Sequence, residues 1–280
     1  MDKALMKRID KMVAEIYAHK VEPGFSEEVR RRENFAGHRP RTNRAMLRYL
    51  CELIAYSQGA KDVLVKDDFG DLAEAMANYD PDAVVKLRAE DVLAEYWHRL
   101  GALRYKRKIV SMRGCALVIN ELKARRTPLP RLIKSSGLPE ALLESEDIDR
   151  FWSAFSAVQS TLKQVGMPFF SSFTSLCHLL MAMGYPSSKP DLTVMRTSRA
   201  LSIAPARKTY GDGWHYVTVR AMQQYSVARG IKMQVLDLYF MIRGGQSGVR
   251  HLVDGSYPPY VAEAAAGGRR GGRRAKVIPF

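Results

Sequence analysis

In the stretch "GYPSSKPDLTVMR", residues 184–196, one carboxylate stands alone at a boundary. Asp191 follows an apolar run that closes in a Gly-Tyr-Pro turn, and it precedes what reads as a fresh helix. Two roles fit that position. An Asp at a helix start accepts hydrogen bonds from backbone N–H groups that lack a partner inside the helix. A fixed carboxylate in a cleft stabilises positive charge building on a substrate, and it orients or deprotonates an attacking water. The two roles are compatible in one residue. From Gln164 to Ser188 there is no lysine, and Lys163 and Lys189 flank that window.

Other chemistries lack their residues. Cys51, Cys115 and Cys177 are dispersed, with no CxxC and no Cys/His cluster. That is neither a metal site nor a disulfide framework, and it fits buried thiols in a reducing cytosol. His178 lies in an apolar run and reads as a satisfied core histidine, while His98 and His215 are candidates for lining a cleft. No run approaches the ~20 apolar residues of a membrane span. The first twenty residues carry charges throughout, unlike a signal peptide, so a cytoplasmic protein is expected.

The charge balance speaks for a partner. A net charge of +15 on 280 residues, with a pI near 9.8, suggests a polyanion, most often nucleic acid. Arg30, Arg31, Arg32, Arg39, Arg41 and Arg44 crowd the segment 21–44, which reads as a solvated connection or a phosphate-contacting arm. Arg104, Lys106, Arg107 and Lys108 open a basic helix and divide between phosphate contacts and solvated charge. Residues 263–280 form a Gly/Arg-rich, flexible tail.

The elements that must hold these residues are helical. Leu5, Met6, Ile9, Met12, Val13 and Ile16 mark one face of an amphipathic helix. Further helices are predicted over 45–58, 67–80, 88–101, 104–126, 148–165, 168–184, 192–201, 210–230 and 232–245, with a short element starting at 60–66 and one short helix within 127–147. The segment 168–184 is apolar nearly all round and reads as the buried central helix. No alternating strand pattern is present, so the predicted class is all-α.

Four features now stand in order: an apolar helix ending "AYSQ", then "LGALRYKRKIV", then "LKQVG" before the buried helix, then "GYPSSKPDLTVMR". In that order residues 45–200 resemble the helix-hairpin-helix DNA glycosylases, the superfamily of endonuclease III, the mismatch adenine glycosylase and the bacterial 3-methyladenine glycosylases. Val165-Gly166 matches the Val-Gly of the family's hairpin, and Met167 follows it. The family's preceding Pro and first Gly are missing, and the segment to the buried helix is longer. Pro190, Asp191, Val194 and Arg196 match the family's catalytic signature, with Thr193 where most members have His.

The resemblance implies a monofunctional DNA glycosylase acting as a monomer on a damaged or modified base in double-stranded DNA, in base-excision repair or in defence against modified foreign DNA. Asp191 would be the essential carboxylate. The hairpin N–H groups would face a phosphate, and hairpin carbonyls would be able to hold a monovalent cation; no side-chain metal site and no iron-sulfur cluster are implied. Phe173 falls near the lysine of lyase-active members, so an abasic-site product is expected. Gln58 matches a residue that enters the duplex, and Ala102 or Leu103 falls at a wedge position. Arg104, Lys106, Lys163, Lys189 and Arg196 would contact DNA. Tyr56, Trp97, Phe169, Phe170 and Trp214 are the aromatic candidates for the base pocket. Two helical lobes are implied: one over 46–190, the other from 1–45 with 191–262. A non-catalytic helix-hairpin-helix DNA binder is the alternative.

Overall fold

A computed structural model describes residues 1–57, 68–207 and 209–257. Among these the regular elements are helical, and the only extended pairing is an isolated bridge between Val21 and Val253. The all-α class is borne out. No described helix is long and apolar enough to cross a membrane.

The helices in chain order are α1 (Lys3–Ala18), α2 (Gly24–Glu33), α3 (Asn43–Ala55), α4 (Phe69–Ala75), α5 (Pro81–Val84), α6 (Ala89–Tyr96), α7 (Lys106–Ala124) and α8 (Leu129–Lys134). They continue with α9 (Ser145–Gln164), α10 (Phe173–Ala182), α11 (Leu192–Ala200), α12 (Asp212–Arg229) and α13 (Met233–Arg243). Short 3-10 turns fall at Ala77–Tyr79, Gly101–Leu103 and Ser247–Leu252. Predicted amphipathicity is realised in α1, where Ile9, Met12 and Ile16 are buried. The buried apolar residues form one connected cluster running from Ile9 to Tyr257.

Several boundaries move for identifiable reasons. Glu144 and Asp147 form a reciprocal capping box, so α9 begins earlier than its apolar periodicity suggests. The central helix begins at Phe173 rather than at 168. Residues 165–172 are instead a turn that contains Pro168 and a left-handed Phe169 (φ 63°). The predicted helix 67–80 stops at Ala75, because Ala77, Asn78 and Tyr79 all take positive φ. The connection 21–44 holds a full ten-residue helix, α2.

Two identical stops frame the central helix. At the end of α9, the Met167 N–H donates to the Leu162 carbonyl at 2.8 Å and the Gly166 N–H to Lys163 at 3.0 Å. At the end of α10, Tyr185 donates to Leu180 at 2.9 Å and Gly184 to Met181 at 2.9 Å. This double bond pattern needs a left-handed residue, and Gly166 (φ 65°) and Gly184 (φ 86°) supply it.

Helix packing fixes the place of the helix that Asp191 opens. α13 lies against α1, α2, α11 and α12. α7 lies against α3, α5, α6 and α8. α12 packs on both α9 and α10. α11 is locked to α13 by Thr197, whose Oγ1 donates to the Phe240 carbonyl at 2.7 Å. It is locked again where the Thr193 carbonyl passes so close to Gly244 that a Cβ there would sit 2.3 Å away.

Candidate functional site

Asp191 is the N-cap of α11. Its backbone is extended (φ −82°, ψ −177°), and its Oδ1 accepts from the Thr193 N–H at 2.9 Å and the Val194 N–H at 3.2 Å. Oδ2 accepts no hydrogen bond among the described residues, and the side chain is half-buried. The cap therefore fixes one oxygen and leaves the other available to solvent or a ligand. Capping and chemistry are carried by different atoms of one carboxylate.

The loop that delivers Asp191 is held from below. Gly184 to Pro190 runs back from the end of α10, and Tyr185, Pro186, Ser187, Ser188 and Pro190 are buried. Gln223 of α12 donates to the Pro186 carbonyl at 2.9 Å and accepts from the Trp152 indole at 2.7 Å. Gln234 of α13 donates to the Tyr185 carbonyl at 3.2 Å. Ser188 donates to Oδ1 of the buried Asp237 at 2.6 Å. The Tyr185 and Pro186 carbonyls thus each have a side-chain donor, as burial of polar groups requires.

The half-buried flank of α10 carries Thr174 and His178, four residues apart on one face. Thr174 Oγ1 lies 3.4 Å from His215 Nδ1 at the start of α12. Burial, with the Lys189 charge added, pushes the His178 imidazole down to about 3, so it is neutral. Its Nδ1 is buried and has no hydrogen-bond partner. The expected satisfied core histidine is thus left with an unpartnered Nδ1. Burial also holds the His215 imidazole below its usual range, against the pull of Asp212.

The first turn of α10 has no side-chain cap: the Ser172 hydroxyl turns away and donates to the Phe169 carbonyl at 2.8 Å. Its N–H groups and the Val165-Gly166-Met167 turn lie at the same end of α10. Val165 and Met167 are buried, whereas Gly166 and Lys163 are exposed. Phe173 opens α10 and stacks on Trp152 (5.6 Å, 11°), which meets Tyr216 edge-on at 4.7 Å. Sequence reasoning did not pick Trp152, Thr174 or Tyr216. The aromatic-rich openings "DRFW" and "GWHY" were the available signal.

Other expectations are corrected. Leu103 is 0 % exposed and belongs to the core, so it has no wedge to offer without unfolding its turn. Ala102 lies in the 3-10 turn, and its side chain lies outside the described residues, as does Gln58 altogether. Lys108 is buried and donates to the Ala55 carbonyl at 2.7 Å, tying α7 to the end of α3; burial holds its amine below the usual range. Arg104, Lys106 and Arg107 are exposed, Arg104 with its Nε on the Gly101 carbonyl at 3.1 Å.

Phe170 is 0 % exposed and offers no free face, and the half-buried Tyr56 packs edge-on with Phe69 at 5.5 Å. Trp97 is 40 % exposed and precedes the basic turn in the chain. Phe169 and Trp214 are half-buried, and the Arg207 guanidinium lies 6.0 Å from the Trp214 ring. Arg196 is exposed, with its Nη1 3.5 Å from the Gly244 carbonyl; Lys189 is half-buried. Much of the arginine arm is spent internally. Arg32 bonds Glu28 and the Gln234 carbonyl, Arg39 bonds the Met183 carbonyl and Glu140, and Arg44 bonds the Asn78 carbonyl. The tail 263–280 lies outside the described residues.

A groove of about 1330 Å³ opens elsewhere, bordered by Arg39, Arg41, Arg131, Lys134 and Lys232. Asp191 does not line it. Its walls offer cations and apolar surface but Glu140 as their one carboxylate, already bound to Arg39. Among the described residues no group of three or more His, Cys, Asp or Glu side chains is placed to hold a metal ion.

Set against known proteins, the chain matches no family model, no curated protein and no solved structure.

Proposed function

We propose that this protein is a monofunctional DNA glycosylase that flips a damaged or modified base from duplex DNA and hydrolyses its N-glycosidic bond. The observation that carries the reading is the division of labour in Asp191: Oδ1 is fixed by two backbone N–H groups and Oδ2 is left unbonded at the start of α11. Breaking an N-glycosidic bond builds positive charge on the deoxyribose, and a carboxylate oxygen held in place stabilises it without reorganising. The same oxygen orients or takes a proton from the water that attacks the sugar carbon.

The surroundings support the reading. α9, the Val165-Gly166 turn and α10 follow one another in the order the resemblance expects of its hairpin, and the uncapped start of α10 offers N–H groups to a phosphate. Contacts of α13 with α1, α2 and α11, and of α7 with α3 and α5, are compatible with two lobes meeting near Asp191. Phe173 falls near the position where lyase-active members of the resembled family place lysine, which favours an abasic-site product. Half-buried Tyr216, backed by the buried Trp152 and Phe173, offers an aromatic side chain for a planar base. A net charge of +15 favours a phosphate backbone as partner.

The test is base release. The protein is incubated with alkylated, oxidised, uracil-containing and hypermodified phage DNA, and abasic sites are scored with an aldehyde-reactive probe. Abasic sites that disappear in Asp191→Asn are the expected result. No abasic sites on any DNA, with salt-sensitive binding retained, would replace this reading with that of a non-catalytic DNA binder.

A further inference from the structure

Asp237 is 2 % exposed, in the middle of α13, on the side that faces the loop carrying Asp191. A buried carboxylate is costly unless fully paired. Asp237 has one partner on each oxygen. Ser188 Oγ donates to Oδ1 at 2.6 Å, and Arg32 Nη1 stands 3.5 Å from Oδ2. That guanidinium is shared: Nε donates to Glu28 at 2.6 Å and one Nη1 hydrogen goes to the Gln234 carbonyl at 3.0 Å, leaving the second Nη1 hydrogen for Asp237. An asparagine would accept the Ser188 hydrogen bond equally well, so tethering the loop does not account for a charge at this place.

Resting on the glycosylase reading, we infer that Asp237 is a positioning residue for Asp191: through Ser188 it fixes the loop three residues upstream, and its negative charge stands behind the carboxylate that faces the sugar cation. A second anion in a low-dielectric interior adds to the field that favours positive charge at the reacting sugar. It does so without touching substrate.

The charged neighbours of Asp237 are few. α2 brings Arg32, clamped by Glu28; the 184–191 loop brings Ser188 and Asp191. α1 and the far end of α13 pair Glu15 with Arg243 at 3.4 Å, and α12 presents Tyr225, bound to Asp10. The 3-10 turn Ser247–Leu252 and α11 add Arg250, His251, Arg196 and Arg199. Burial raises the Asp237 carboxyl above its ordinary range, Arg32 and Ser188 oppose that, and the Asp191 charge raises it further.

The experiment is single-turnover base release across pH, with DNA affinity measured in parallel. Asp237→Asn is expected to lose the ionisation that Asp237 contributes to the acid limb of the wild type. The plateau rate of Asp237→Asn is expected to fall about tenfold, the order of one preorganised charge outside direct contact, with DNA affinity within about twofold. Should Asp237→Asn fail to fold, Arg32→Gln serves: losing the cation that favours ionised Asp237 moves the limb to higher pH. An unchanged limb and plateau in the variant that folds overturns the inference. Carboxyl 13C NMR separates its failure from that of the glycosylase reading. Asp237 is expected to titrate lower in Asp191→Asn than in wild type; equal titration overturns the coupling whether or not a base is released. Absence of base release by the wild type overturns the glycosylase reading and the electrostatic role with it.

Discussion

Gly184 and Gly37 pass each other with no room for a side chain on either. A Cβ on Gly184 would lie 2.4 Å from the Ala36 carbonyl oxygen, and one on Gly37 would lie 2.1 Å from the Met183 carbonyl carbon. Both residues have positive φ. The contact pins the connection between α2 and α3 onto the turn that ends α10, and the His38 N–H seals it on the Ala182 carbonyl at 3.1 Å. The loop to Asp191 starts at this crossing.

Gly184→Ala therefore meets two penalties at once, a left-handed backbone and a backbone clash. The expected cost is about 3 kcal/mol or more. Chemical denaturation of Gly184→Ala beside Gly230→Ala checks it. Gly230 also has positive φ, but a Cβ there meets nothing within 4 Å, so its variant should lose only about 1–2 kcal/mol. Equal losses would show that the crossing is not tight.

Asp191 separates capping from charge. Asparagine caps as well as aspartate, so Asp191→Asn should change stability by less than about 1 kcal/mol, while Asp191→Ala loses about 1 kcal/mol for the missing cap. Base release should disappear in both. A variant Asp191→Asn that still releases base at the wild-type rate would remove the carboxylate from the mechanism. Melting curves run beside the activity assay distinguish loss of chemistry from loss of fold.

The features legible in the sequence are those set by local rules. Helix periodicity gave α1, α3, α7, α12 and α13 to within a turn, and the Lys-Pro-Asp stretch gave the α11 cap, because these depend on neighbours in the chain. The misses depend on partners far away. Leu103 looked like a wedge in "LGALRYK", yet the core takes it; Lys108 looked like a phosphate contact, yet it is spent on Ala55 across 53 positions. Arg32 and Asp237 meet from 205 positions apart, and nothing in the spacing of either announces it. Buried polar partnerships of this kind are set by packing, and packing is what a single sequence states least directly.

Those misses make a testable contrast along one short stretch. Leu103→Ala should cost about 2–5 kcal/mol as a core truncation, and Lys108→Ala about 1–3 kcal/mol for leaving the Ala55 carbonyl unpaired. Neither should change the salt dependence of DNA binding. Lys106→Ala with Arg107→Ala, both exposed at the start of α7, should leave stability within about 0.5 kcal/mol. If they meet phosphates, the slope of log K against log salt drops by about 1 for each. An unchanged slope would assign them to solvated charge.

His178 gives the acid side of the stability profile a direction. Its folded-state value, about 3, lies below the ordinary 6.5, so between those two values the unfolded chain binds the proton and the folded chain does not. Stability carried by the neutral imidazole is thus complete above 6.5 and is lost as the pH falls through that window. Asp237 acts with the opposite sign: its raised carboxyl contributes stability at low pH that is lost as pH rises through its folded-state value. The two are separated by comparing the wild type with His178→Gln at each pH, since Asp237 is common to both. The stability difference, wild type minus variant, should fall on going from pH 7 to pH 4, with a slope no steeper than about 1.4 kcal/mol per pH unit for one proton. A difference that stays flat would mean that His178 takes up its proton in the folded state without penalty, and that the unpartnered Nδ1 is reached by water.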